Sequence, residues 1–273
     1  MKNSTTKTSV WNVKSKKKPA WSRQQKPVKL ESILLFAVIL LCWQGLSTFY
    51  TPLVLPGPVL TFKSLLTIFQ SDLLFSETLI SFKRLMLGLM GAVLVGSVVG
   101  IIIGLNQRIR RLLEPLVYFI QSMPPILYIT LAMIWFGLNG QATIFIVFVA
   151  SVPIMVVNIK EGFDNIDIKL IQMGRVFKFS RIKMIREIIL PSLKAYFKSA
   201  LLIIIGLGWK VVVMGEVLSA STGLGSRITD ARMNLQTDMV FAWGIIIILL
   251  CYTSQKVISA LFNLSTARKQ YDL

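Results

Sequence analysis

The sequence predicts an all-α, polytopic membrane protein with six transmembrane helices. Three observations carry that prediction. Hydrophobic residues make up 54% of the 273 positions, above the roughly 45–50% usual for a soluble domain. They are gathered into blocks long enough to cross a bilayer instead of recurring at an amphipathic period. The Lys and Arg residues collect at the ends of those blocks, densely on alternate loops. The length suits one membrane domain and leaves no room for a second large soluble one.

The elements follow in order. Met1–Lys29 is polar and basic, with Lys14, Lys16, Lys17 and Lys18 close together, and reads as a disordered cytoplasmic tail. The stretch from Ile33 to Tyr50 lacks a small-x-small cleavage site at its end. It is expected to be a retained anchor and the first span. Further spans are expected at Leu85–Leu105, Leu116–Phe136, Ala142–Ile159, Tyr196–Met214 and Met239–Phe262. Leu55-Pro-Gly-Pro58 is a turn signal, and a short amphipathic helix from about Leu60 to Phe69 is expected at the outer interface. The turn around Asn139–Gly140 is short, so the helices beside it are expected to be antiparallel neighbours.

The loop Lys160–Lys194 carries apolar residues at helical spacing. Two short helices are expected there, broken near Ser180, with Pro191 at the mouth of the fifth span. The permease-sized core is thus residues 30–263, followed by a short tail, 264–273. With the N-terminus inside, the inner segments hold 22 of the 30 Lys and Arg and the outer ones five. Both termini are therefore expected in the cytoplasm.

Composition also excludes. A net charge of +18 would suggest nucleic acid in a soluble protein. Here the apolar blocks leave no folded soluble face for a basic groove, so no nucleic-acid partner is expected, and the charge is read as topology. Histidine is absent, which removes the commonest metal ligand and proton shuttle. Cys42 and Cys251 lie inside apolar blocks and are expected to be buried thiols, not a disulfide or metal pair. No metal, cofactor or catalytic residue is expected. The chain has no Gly-Lys dipeptide, so it lacks the phosphate-cradling loop of an ATPase. Asp164 and Asp167 read as solubilising charges.

Several residues are candidates for particular roles. Gly96, Gly100 and Gly104 recur every fourth position and let two helices approach closely. Pro124 and Pro125 must break the backbone ladder of the third span; the break either kinks inside the bundle or borders a pathway. Lys210 is an intramembrane charge, either lining a pathway or snorkelling. Glu216, six residues on, cannot share its helix face and is a further pathway or gating candidate.

One pattern is more specific. Ile188, Leu190 and Pro191 fit the end of a motif written E-A-A, three residues, G, nine residues, I, one residue, L, P. Counting back, Lys178 stands where the glycine belongs, and Gln172, Met173 and Gly174 stand for E-A-A. Leu55-Pro-Gly-Pro58, Ser81-x-x-Arg84, Glu114-Pro-Leu116, Met123-Pro-Pro125 and Trp135-Phe-Gly-Leu138 precede it. Asn158-x-x-x-Gly162, Gly208 to Gly215-Glu216 and Gly223-Leu-Gly225 complete the order. From about Ile33 to Phe262 the chain resembles the permease subunits of binding-protein-dependent ATP-binding-cassette (ABC) importers, of the nitrate/sulfonate/taurine group.

The resemblance implies a type I, MetI-like helical bundle in the bacterial cell membrane and a homodimer of permeases. It also implies a pair of cytoplasmic ABC ATPase subunits that hydrolyse ATP in place of this chain, and an extracytoplasmic solute-binding protein. The group includes members for a thiamine precursor and for riboflavin, so several solutes fit. The motif segment would contact the ATPase: Met173, Val176 and Phe177 as apolar anchors, Lys178 and Arg181 among a basic rim. The competing class is a self-sufficient channel or secondary transporter, which would need ionisable relays within its spans; a non-transporting scaffold is a third.

Overall fold

The computed structural model describes the backbone of residues 29–271 and the side chains of residues 33–262. The expected N-terminal tail lies outside the described residues. Eleven α-helices follow one another, with no strand among the described residues. Four helices are long and apolar enough to cross a bilayer: α3 (Leu73–Leu105), α6 (Gly140–Asp164), the continuous run Arg181–Ser219 and α11 (Thr237–Tyr271). A bent pair, α4 (Gln107–Ser122) and α5 (Pro125–Phe136), makes a fifth if taken as one span. The end of the bundle bearing the 160–194 segment is termed inner here, following the Lys/Arg bias, and the opposite end outer.

Two expected spans differ from this. The third is two helices at 92°. The cause is local. A residue preceding proline is driven out of the α region, and Met123 precedes Pro124, which precedes Pro125. Both take extended backbone, with ψ of 132° and 136°, so the helix stops and restarts. At the break the Ile120 carbonyl accepts from the Met123 amide (3.2 Å) and from the Tyr128 hydroxyl, so it is satisfied within the protein. At 12 residues α5 is about 18 Å long, too short to cross alone.

The first expected span, α1 (Lys29–Ser47), has a described apolar length of only Ile33–Ser47. It touches the bundle mainly through Trp43, whose indole donates to the Pro56 carbonyl (3.0 Å) and stacks on Phe241. Cys42 is consequently exposed, not buried, and Cys251 is half-buried.

The core is α3, α6 and α9 (Leu190–Ser219). Gly88, Gly96, Gly100 and Gly104 of α3 face Val147, Met155, Ile159 and Phe163 of α6. The sequence offset is the same at each step, so these two helices run parallel, ridge of every fourth residue into groove. A Cβ at Gly100 would lie 2.8 Å from Ile159 Cβ, and one at Gly96 2.6 Å from Met155 Cβ. Ala92, wholly buried, continues the row. At the inner end Gly162 receives Leu193 and Tyr196 of α9. There Arg110 and Lys160 bridge Glu114 and Asp164 at 2.6–3.6 Å, tying α4 to α6. At the outer end α2 (Pro58–Phe69) buries Thr61, Ser64 and Ile68, and the Ser64 hydroxyl donates to Asp238 of α11.

The outer end also holds a buried charge cluster. Glu216 of α9 is 0% exposed. Its carboxylate accepts from Arg84 (2.7 Å), from Ser81 (2.8 and 2.9 Å) and from the Gly225 amide (3.0 Å). Arg84 continues to the Thr222 carbonyl and hydroxyl. Beside it, Glu77 accepts from the Gly223 amide and from Arg227. Two carboxylates thus cap the N-terminus of α10 (Leu224–Met233), where free amides and the helix dipole favour negative charge. Gly223, at φ +104°, leaves no room for a Cβ, which would meet Glu216 at 2.3 Å. Gly140 likewise makes room for Arg84.

Two outcomes test this packing. Gly100→Leu should wedge α3 from α6 and cost about 1–3 kcal/mol, read as a lower melting temperature of the purified protein. Unchanged stability would mean that this face of α3 is not packed. Arg84→Met should cost about 3–5 kcal/mol, because it strands the buried Glu216 carboxylate. The double variant Arg84→Met, Glu216→Gln should recover part of that loss in the same assay.

Candidate functional site

The inner end carries a group of exposed apolar residues outside the spans, Met173, Val176, Phe177 and Ile182. α7 (Ile168–Val176) starts at Asp167, whose side chain accepts from the Lys169 amide (2.9 Å). α8 (Arg181–Met184) starts at Ser180, which accepts from the Lys183 amide. Between them the chain reverses in a Schellman turn. The Phe179 amide donates to the Gly174 carbonyl and the Lys178 amide to that of Arg175, with Lys178 at φ +52°. The position after a helix C-cap demands a left-handed backbone, for which glycine is the usual residue. That is the place where the motif carries glycine and this chain carries Lys178.

Gly174 explains another motif position. It is buried, and a Cβ there would sit 2.8 Å from Met184 and 3.0 Å from Ile188. Only a small residue lets α7 lie against the following helix. Ile188 is itself buried (5% exposed). Gln172, Leu190 and Pro191 are exposed. Met173 (45%), Val176 (78%) and Phe177 (68%) present apolar surface beside Ile182 (79%). Lys178, Arg181 and Lys183 stand around them, exposed, with Lys183 over the Phe179 ring at 4.3 Å.

The expected second short helix is not separate. Arg181–Met184, a π-turn at Ile185–Ile189 and α9 form one run of 39 residues. Pro191 therefore marks no boundary. Proline in a helix removes a donor and clashes with the carbonyl four residues back. The wider π-turn just before it, with the Leu190 amide reaching Ile185, absorbs both effects. α8 is thus continuous with a membrane-spanning rod, and α7 lies against it through Gly174.

The remaining candidates fall elsewhere. Pro124 and Pro125 are exposed at the α4–α5 bend. Glu216 faces no opening; it is locked with Arg84. Lys210 is exposed on α9, in a groove of about 500 Å³ shared with Ser199, Ile203, Gly206 and Gln255 of α11. It forms no ion pair among the described residues. Sequence reasoning missed Glu77 and the pairing roles of Arg84 and Arg227, although Arg84 stood in the Ser81-x-x-Arg84 motif. The available signal was Ser81-x-x-Arg84, one helix turn that must face the same neighbour.

Lys178→Gly should relieve the left-handed strain and stabilise the α7–α8 turn by about 1 kcal/mol. Lys178→Val should do the reverse. Hydrogen-exchange protection of the last turn of α7 reads both, and equal protection in the two variants would contradict the assignment.

A family model described as the binding-protein-dependent transport system inner membrane component matches residues 92–264. The taurine transport system permease protein TauC of Escherichia coli (strain K12) is 30% identical over 237 residues, 84% of this chain and 86% of that one. The putative aliphatic sulfonates transport permease protein SsuC of Bacillus subtilis (strain 168) is 32% identical over 224 residues, 80% and 79% of the two chains. Among solved structures, a bacterial ABC transporter involved in the import of alginate gives a TM-score of 0.60 at 15% identity, covering 86% of this chain and 93% of that one. The MetNI methionine ABC transporter in an inward-facing form gives 0.57 at 17%, covering 71% and 99%. At such identities the structures speak for the fold alone. On the family match and the relatives together, the chain belongs to the inner-membrane components of binding-protein-dependent transport systems, the permease subunits of ABC importers.

Proposed function

We propose that two copies of this chain form the translocation pathway of an importer, with both termini cytoplasmic and α1 as a sixth span. α7 and α8 are the docking surface for a separate ATPase subunit. An extracytoplasmic binding protein delivers the solute to the outer face. The observation that carries the reading is the exposed apolar face of Met173, Val176, Phe177 and Ile182: Ile182 belongs to the membrane-spanning run Arg181–Ser219, and α7 packs on that run through Gly174. Closure of the ATPase pair on that face pushes a rod and rocks the bundle between inward- and outward-open states.

Lys210 supports the pathway assignment. A charge within a span is expensive against lipid and is expected to face water or protein. An anionic solute of the taurine or sulfonate kind named for the relatives suits a lysine-lined route. A self-sufficient channel or secondary transporter is less well supported. It needs a free ionisable relay, and the buried acids Glu77 and Glu216 are both committed to the outer cluster.

Phe177→Asp places a charge in an apolar joint and should cost a few kcal/mol of docking energy. The variant should insert normally, lose its co-purifying ATPase and lose solute-stimulated ATP hydrolysis; full stimulation would exclude this face. Reporter fusions after Asn139, Lys169 and Ser221 should read outside, inside and outside. A cytoplasmic signal at Ser221 would overturn the orientation.

A further inference from the structure

On the inner half of the bundle α3 and α9 diverge, and a cleft of about 500 Å³ opens between them. Its walls are Ser97 and Ile101 of α3 and Leu193 and Phe197 of α9, with Ile159 of α6 also lining it. Arg186 and Lys194 line the same cleft, and no Asp or Glu does. Arg186 is exposed and forms no ion pair among the described residues. We propose that this cleft binds an anionic phospholipid, one acyl chain between α3 and α9 and the phosphate held by Arg186, at the mouth that Lys194 also lines.

Three observations commit the cleft to a lipid rather than to a second copy or a soluble anion. Its α3 wall is continuous with an apolar stripe exposed along that helix, Leu94, Val98, Ile101 and Leu105, so the cleft opens onto the bilayer. The lining is apolar except for one serine and the two cations, the division of an acyl chain from its headgroup. The cleft residues Leu190 and Phe197 also lie on the face of α9 roughly opposite Gly206 and Lys210, away from the groove assigned to the pathway. Basic pockets between membrane helices are established sites for acidic lipid headgroups.

The position gives such a lipid a role. Arg186 sits within the π-turn, and Leu190 and Pro191 follow it directly. A phosphate bound there grips the rod where it leaves the membrane, and the acyl chain fills the space α9 would need in order to swing towards α3. The bound lipid thereby biases the position of the lever. Only the membrane embedding of the chain is required for the site itself, so the proposal stands or falls apart from the docking of an ATPase.

The test uses the full chain in phosphatidylcholine nanodiscs carrying a trace of photoactivatable phosphatidylglycerol or, in parallel, photoactivatable phosphatidylcholine. Phosphatidylglycerol should label the peptides holding Ile101 and Phe197 preferentially. Arg186→Gln should lower that labelling about fivefold, the worth of one cation at a membrane surface, while labelling of α1 stays unchanged as a control for folding. Added inorganic phosphate should not compete. Equal labelling by both lipids, an unaffected Arg186→Gln protein, or competition by phosphate would overturn the proposal. So would cross-linking of two Ile101→Cys chains to each other in place of lipid labelling.

Discussion

The buried carboxylate of Glu216 is the constraint on which the architecture turns. A charge with no exposure is tolerated only when it is paired and its remaining lone pairs are hydrogen-bonded. Arg84 and Ser81, one turn apart on α3, and the Gly225 amide of α10 do this. Satisfying one side chain therefore fixes α3, α9 and α10 against each other, with the start of α6 packed on Arg84 through Gly140. Gly223 and Gly225 follow from the same demand, since a side chain at either would occupy the space of the carboxylate or of the backbone beside it.

With the outer end fixed, the parallel α3–α6 face and the length of α9 determine what can move. From Arg181 to Ser219 the run is 39 residues, about 58 Å, or nearly twice the thickness of a hydrocarbon core. One end lies in the Glu216 cluster and the other projects with α7 beyond the membrane. A force applied at α7 and α8 is thus applied to a lever whose far end is held. The π-turn at Ile185–Ile189 is the one irregularity along it, and it lies where the lever emerges. Inner-end tethers are weaker in kind: the Arg110, Lys160, Glu114 and Asp164 pairs are partly exposed, and such pairs contribute little each. A tight outer cluster and a looser inner one suit a bundle that opens from the inside.

Much of this was legible in the sequence, and the exceptions have physical causes. Long apolar blocks announce spans directly, so α3, α6, α9 and α11 were readable, as was the short α2. The third stretch was read as one span because hydropathy does not register direction, whereas consecutive prolines forbid helical backbone at two adjacent residues. The α8–α9 join was misread for the related reason that proline usually ends a helix, and a π-turn that accommodates it leaves no compositional mark. Cys42 was expected to be buried because an apolar block was equated with a packed one; α1 is apolar yet scarcely packed. The glycines at 96, 100 and 104 were visible, but their partner helix was not, since only the matching four-residue row on α6 in three dimensions names it. Glu216 was visible as a charge near a span end, and its partner Arg84, 132 residues away, was not.

The departure of Lys178 from the motif became interpretable only once the backbone was known. Its left-handed angle turns a missing glycine into a strained turn at the surface proposed to bear the driving force. The most direct test of that account is a photo-crosslinking amino acid at Phe177, compared with one at Met233 on the outer end, in membranes containing the assembled transporter. The account predicts an adduct with an ATP-binding subunit from position 177 and none from position 233. An adduct from 233, or none from 177 in an assembled and active transporter, would contradict it.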